Sequence, residues 1–263
     1  MSKHPIGIFD SGVGGLSIWK EITELLPNEN TIYLADSKHA PYGKKSRNEI
    51  IRLCKKNTEL LLNKGCKLIV VACNTATTNA IDILRETYPV SFIGIEPAIK
   101  PASIQTKTNT IGVLATKGTL NSNLFAKTSN LHNKGIQIIE QDGEGLVPLI
   151  EKGAIYSNEM QVLLSKYIEP MIAKNVDCLV LGCSHYPFLI PQIEKVTKGE
   201  IQIIDSGKAV AKQTKTILEK EELVHSNKTT EIKHQIYTNE STEIVKHFVN
   251  EIERDVSIDY LEF

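Results

Sequence analysis

Two cysteines carry the most chemical information in this chain. Cys183 follows Cys73 by 110 residues, and each directly follows an aliphatic run, Lys67–Ala72 and Asp177–Gly182. Each opens a loop into a predicted helix, with a hydroxyl residue within two positions, Thr75 and Ser184. A thiol at a strand end facing a helix N-terminus has its pKa lowered toward neutrality, which makes it a usable base. Two such thiols on opposite faces of one carbon meet the demand of stereochemical inversion: one thiolate removes a proton and the other thiol returns one to the opposite face. Thiols sit closer to operating pH than free carboxylates, so they suit this acid–base work. Asp10 beside Cys73 and His185 beside Cys183 are the expected tuning partners. Cys54, Cys66 and Cys178 fall on helical or strand-interior positions and are assigned to packing. Five cysteines without a CxxC pair exclude a secreted disulfide framework and a zinc ribbon.

The elements that must place these thiols read as alternating strands and helices, the pattern of a parallel α/β sheet. Ile6–Phe9, Thr31–Ala35, Lys67–Ala72 and Ser91–Ile95 are the first four predicted strands. Between them lie a helix over about 15–26, ended by Pro27, and one opened by a Ser46/Glu49 capping box and stopped by Gly65. The pattern then restarts. TIGVL at Thr110–Leu114 echoes PIGIF at Pro5–Phe9, Gly135–Glu140 echoes the second strand, the Cys183 strand echoes the Cys73 strand, and Gly199–Ile204 echoes the fourth. A repeat of this size is large enough for its own core, which predicts two similar α/β lobes rather than a solenoid. The lobes are expected over 1–98 with 208–263, and over 99–207. The tail from Lys208 should supply a helix, a strand at Ile232–Thr238 and an amphipathic helix with Ile244, Phe248 and Ile252, packed back on the first lobe.

Ligands of open α/β sheets bind beyond the carboxyl ends of the strands. The polar residues there are Asp10–Ser11, Asp36, Cys73–Asn74–Thr75, Glu96, Thr116, Cys183–Ser184–His185 and Asp205–Ser206. The turn Asp10-Ser11-Gly12-Val13-Gly14-Gly15 has a partial likeness to a dinucleotide fingerprint, with Asp36 near the place of the ribose-binding acid. The third glycine is replaced by Ser17, and Asp10 would face the pyrophosphate, so the match is poor. A tight turn needing glycine explains the same residues, and its N–H groups at a helix N-terminus are expected to anchor a small carboxylate.

Composition narrows the field further. The 263 residues carry 30 basic and 31 acidic side chains, a net charge of -1, which argues against bulk electrostatic binding of nucleic acid or a membrane surface. The longest apolar runs fall far short of the roughly 18 residues of a membrane span. Asp10 interrupts the first apolar segment, so no signal peptide is read and a cytoplasmic location is expected.

With these residues in view, the chain resembles the cofactor-independent Asp/Glu racemase superfamily, in its glutamate racemase branch. The resemblance covers essentially the whole chain. It rests on IGIFDSGVGG (Ile6–Gly15), APYG (Ala40–Gly43), VVACNTAT (Val70–Thr77), GIEPA (Gly94–Ala98) and LGCSHYP (Leu181–Pro187), in that order. His185 after Cys183–Ser184 favours the glutamate branch. The resemblance implies two pseudo-twofold α/β lobes with the active site between them. It makes Cys73 and Cys183 the acid/base pair, with Asp10 and His185 as helpers. It also implies substrate contacts at Asp10, Ser11, Tyr42, Gly43, Asn74, Thr75, Ser184 and His185, and at Thr116 as the counterpart of Ser11. Implied too are L-/D-glutamate interconversion for peptidoglycan precursors, no metal, no pyridoxal or other cofactor, no nucleic-acid or membrane partner, and a homodimer. Two departures stand out: Ser184 replaces a usual Thr, and Asp142-Gly143-Glu144-Gly145 lacks a common Cys-Pro. An aspartate or other amino-acid racemase is the alternative within the superfamily, and a non-catalytic amino-acid-binding module the alternative from another class.

Overall fold

A computed structural model describes residues 4–132, 135–225, 231–250 and 256–263. Among the described residues, ten strands lie in two sheets: β1 (Ile6–Asp10), β2 (Thr31–Ala35), β3 (Leu68–Val71), β4 (Ser91–Gly94), β5 (Thr110–Ala115), β6 (Gln137–Asp142), β7 (Cys178–Gly182), β8 (Gln202–Ile204), β9 (His234–Thr238) and β10 (Ser257–Tyr260). The first sheet runs β10-β9-β2-β1-β3-β4 and the second β6-β5-β7-β8, with every pairing parallel. The shared inner order, β2-β1-β3-β4 against β6-β5-β7-β8, is the internal repeat made visible. The central strands β1, β3, β5 and β7 are buried along their whole length, as strands covered by helices on both faces must be. That is why they read as continuous aliphatic runs.

One apolar cluster passes from the first sheet (Ile6, Ile8, Val70) through Leu146 and Ile150 to Leu179 and Leu181 in the second, so the lobes share a core beneath the cleft. A second cluster, with Phe9, Ile69, Val71 and Leu53, covers the other face of the first sheet. Ser46 caps helix Arg47–Asn63 by accepting the Glu49 N–H at 3.3 Å, and Gly65 follows with φ 79, as the sequence pattern required.

Helix Gly207–Lys220 returns the chain to the first lobe, and β9 extends its sheet beside β2. The sequence pattern missed β10, a short polar strand that completes this edge. Ile252, expected on the amphipathic tail helix, lies outside the described residues; Ile244 and Phe248 fall on helix Thr242–Asn250. Among the described residues, no helix is long and apolar enough to cross a membrane.

Candidate active site

The strand ends bring the expected residues together. A small cavity between the sheets is lined by Ser11, Tyr42, Gly43, Cys73, Asn74, Thr75, Thr116, Cys183, Ser184 and His185, joined by Pro41 and Val147. Asp10 does not line it but lies fully buried beneath. Its carboxylate accepts the Gly15 N–H at 3.2 Å and the Ser184 hydroxyl at 3.0 Å, so a first-lobe acid orients a second-lobe hydroxyl. Burial raises the Asp10 pKa to about 6, against the pull of His185; Glu151 raises it further and the Ser184 hydroxyl lowers it.

Cys73 is the N-cap of helix Asn74–Thr87: its sulfur accepts the Ala76 N–H at 3.4 Å and its thiol donates to Ser11 Oγ at 3.7 Å. The expected lowering of its pKa does not occur. Burial pushes the Cys73 thiol well above its ordinary range, and the Asp10 carboxylate adds to that, outweighing the helix-terminal N–H. Cys183 lies 3.8 Å from His185 Nδ1, and His185 Nε2 lies 2.5 Å from Glu151 Oε1. Burial works against the imidazolium, but the Cys183 sulfur and the Glu151 carboxylate win, with Asp10 helping, and hold the His185 pKa well above its usual value. The second lobe thus holds a thiol–imidazole–carboxylate chain; the first holds a neutral thiol beside a hydroxyl.

Glu151 is the residue that sequence reasoning missed. It ends the short helix Leu146–Glu151, where a lone glutamate reads as solvated, yet its side chain is 13% exposed. Its Oε1 also accepts the Val13 N–H at 2.8 Å, and its Oε2 accepts the Ser37 hydroxyl at 3.1 Å. The glycine-rich turn now has a reason. A Cβ on Gly12 would stand 1.9 Å from Glu151 Oε1, and one on Gly14 would stand 2.1 Å from His185 Nδ1. The glycines admit side chains of the other lobe, not a dinucleotide. Two of the turn N–H groups expected to anchor a ligand carboxylate are taken up within the protein, Val13 donating to Glu151 and Gly15 to Asp10.

Asn74 is 2% exposed, and neither its amide nitrogen nor its oxygen has a hydrogen-bond partner within the protein. A buried amide left open on a cavity wall is a donor and acceptor waiting for a ligand. Beside it, Thr75 and Thr116 share a 2.8 Å hydrogen bond across the cleft, and the fully buried Thr119, which the motifs did not mark, joins them at 3.3 and 3.2 Å. Tyr42 presents no free hydroxyl, since that group donates to Asp36 at 2.5 Å. Gly43 lies close to the opposite wall: a Cβ there would meet the Thr116 side chain at 3.0 Å. Asp36, near the ribose-acid place in the dinucleotide reading, is a buried hydrogen-bond hub instead. Among the described residues, no group of three or more His, Cys, Asp or Glu side chains is arranged to hold a metal ion.

Comparison with known proteins agrees with this geometry. The family model described as Asp/Glu/Hydantoin racemase matches residues 6–214. A glutamate racemase of Ectopseudomonas mendocina is 47% identical over 224 residues, covering 85% of each chain. The crystal structure of a glutamate racemase isoform from Bacillus anthracis superposes with a TM-score of 0.87 at 30% identity, covering 99% of this chain and 98% of that one. That of the Francisella tularensis glutamate racemase in complex with D-glutamate gives 0.84 at 29% identity, covering 100% and 98%. With two matching lobes, paired thiols on one cavity and a family match across both, the chain belongs to the Asp/Glu/hydantoin racemase family.

Proposed function

We propose that the protein interconverts L- and D-glutamate by a two-base mechanism without a cofactor, with Cys73 and Cys183 as the bases. The observation that carries this reading is the meeting of two repeat-equivalent cysteines on one cavity whose Asn74 amide lacks a partner. For L-glutamate, the Cys183 thiolate takes the α-proton while the Cys73 thiol gives its proton to the opposite face of the same carbon. D-glutamate runs the reverse. Each turnover exchanges the protonation states of the two sulfurs, and the opposite enantiomer restores them. His185, held by Glu151, supports the Cys183 thiolate, and Asp10 orients Ser184. Ser11, Tyr42, Gly43, Asn74, Thr75, Thr116, Ser184 and His185 hold the substrate's carboxylates and ammonium.

The lobes divide as 1–98 with 208–263 and 99–207, in keeping with which strands join which sheet. A cytoplasmic location, a homodimer and a supply of D-glutamate to peptidoglycan precursors complete the reading. The test is circular dichroism of purified protein without added cofactor, in deuterated water. D-glutamate should lose optical activity and take up deuterium at Cα, with D-aspartate much slower. Faster turnover of aspartate overturns the glutamate assignment, and binding without exchange overturns catalysis.

A further inference from the structure

Four strand ends stand side by side at the carboxyl edge of the first sheet: Asp10 of β1, Asp36 after β2, Asn239 after β9 and Leu261–Phe263 after β10. Asp36 is fully buried, and donors converge on it. Tyr42 Oη at 2.5 Å and Asn57 Nδ2 at 3.5 Å reach one oxygen, and His39 Nδ1 and Asn239 Nδ2, both at 2.6 Å, reach the other. Asn239 is 2% exposed and also accepts the Lys38 N–H at 3.0 Å while donating to the Phe263 carbonyl at 3.2 Å. The Lys56 ammonium lies 3.8 Å from Asp36 and 5.3 Å above the Phe263 ring, which closes the cluster from outside. Of the three hydrogen bonds of the Asn239 amide, two therefore hold Asp36 and Lys38, in the segment from Asp36 to Gly43 that delivers Tyr42 and Gly43 to the cavity, and the third ties that segment to the Phe263 carbonyl.

The second lobe lacks this device. Gly143 takes the ladder position of Asp36, since its N–H bonds Ala115 as that of Asp36 bonds Asp10. Among the described residues, its sheet ends at β6, with no strand outside. The two outer strands are thus an addition to one lobe only, and their polar ends meet at the substrate-facing segment.

We propose that Asn239, clamped by Phe263, is a positioning residue for substrate binding: it fixes Asp36 and Lys38 and thereby sets where Tyr42 and Gly43 meet the substrate. The inference rests on the reading of Tyr42 and Gly43 as substrate contacts. A loop that binds both enantiomers alike, but moves no proton, contributes uniform binding. Its loosening raises KM and leaves kcat nearly unchanged.

The test is steady-state kinetics of Asn239→Ala and Phe263→Ala in the full chain, each checked for cooperative thermal unfolding. Asn239→Ala should raise KM for both glutamate enantiomers about tenfold, with kcat within about threefold, as losing a buried amide's bonds predicts. Phe263→Ala should shift KM the same way by about threefold, because only the outer clamp is lost. An unchanged KM in folded Asn239→Ala, or a fall confined to kcat, overturns the proposal. Should Asn239→Ala not fold, Phe263→Ala decides, and an unchanged KM there overturns it. Cys73→Ala and Cys183→Ala controls separate the two levels. If both are inactive while Asn239→Ala keeps its KM, this inference alone fails; if they stay active, the site reading beneath it fails.

Discussion

In the first lobe Cys73 ends β3 as a helix cap, bonded to a hydroxyl and a backbone N–H, with Asp10 as an anion close behind. In the second, Cys183 ends β7 beside an imidazole that a buried glutamate holds from the far side. The frames are equivalent, strand for strand, but the residues two positions after each thiol are Thr75 and His185, and the counterpart of Asp10 is Ala115. Repetition sets where the sulfurs stand; departures from repetition set which groups surround them.

The sharpest way to break this comparison is to remove each thiol in turn. Cys73→Ala and Cys183→Ala should each lower racemisation by about 10²–10⁴-fold or more, because each removes a general acid–base group. The loss must be equal in both directions, since mirror-image substrates have an equilibrium constant of unity. Direction is therefore read from a one-base reaction, elimination of chloride from β-chloro analogues. Cys183→Ser should still eliminate from the D-isomer and Cys73→Ser from the L-isomer. If both variants treat both isomers alike, the thiols are not opposed bases.

Next in size is Glu151→Gln, which removes the anion supporting the His185 imidazolium. The His185 pKa then falls, so the imidazolium is lost at lower pH. Elimination from the L-isomer, which uses Cys183, should drop about tenfold at pH 8, and its alkaline limb should move to lower pH. The D-isomer, served by Cys73, should change much less. Equal losses for the two isomers would mean that Glu151 only holds the lobes together.

The smallest effect is on stability. Asp10 has its folded pKa raised from 3.8 to about 6. Its contribution to stability is therefore full below pH 3.8, is lost as pH rises through about 6, and becomes a constant penalty above. A shift of about two units corresponds to roughly 3 kcal/mol, and Asn sacrifices an acceptor worth about 1 kcal/mol. Asp10→Asn should thus stabilise the fold by about 2 kcal/mol at pH 7.5 and show little difference near pH 4, by denaturant titration at both values. A difference that does not change with pH would remove Asp10 as a buried charge.

The two sheets were legible because β1, β3, β5 and β7 are mainly apolar and their repeats align. β10 was not legible: Ser257–Tyr260 is short and largely polar, and only pairing with β9 makes it a strand. Helix caps such as Ser46 are local in sequence and could be read directly. The open face of Asn74 could not, because an amide's lack of a partner is a statement about everything around it.

By itself, the amino-acid sequence determined the two-lobe frame, the pairing of Cys73 with Cys183 and the neighbouring hydroxyls, since period, strand ends and internal repetition are properties of nearby residues. Tertiary structure alone decided that Glu151 reaches His185, that Gly12 and Gly14 make room for them, and that Asn239 governs Asp36. Those contacts join residues 34, 138 and 203 positions apart. Whether a carboxylate is solvated or buried against a donor depends on the packing that brings such distant segments together, and no local pattern encodes it.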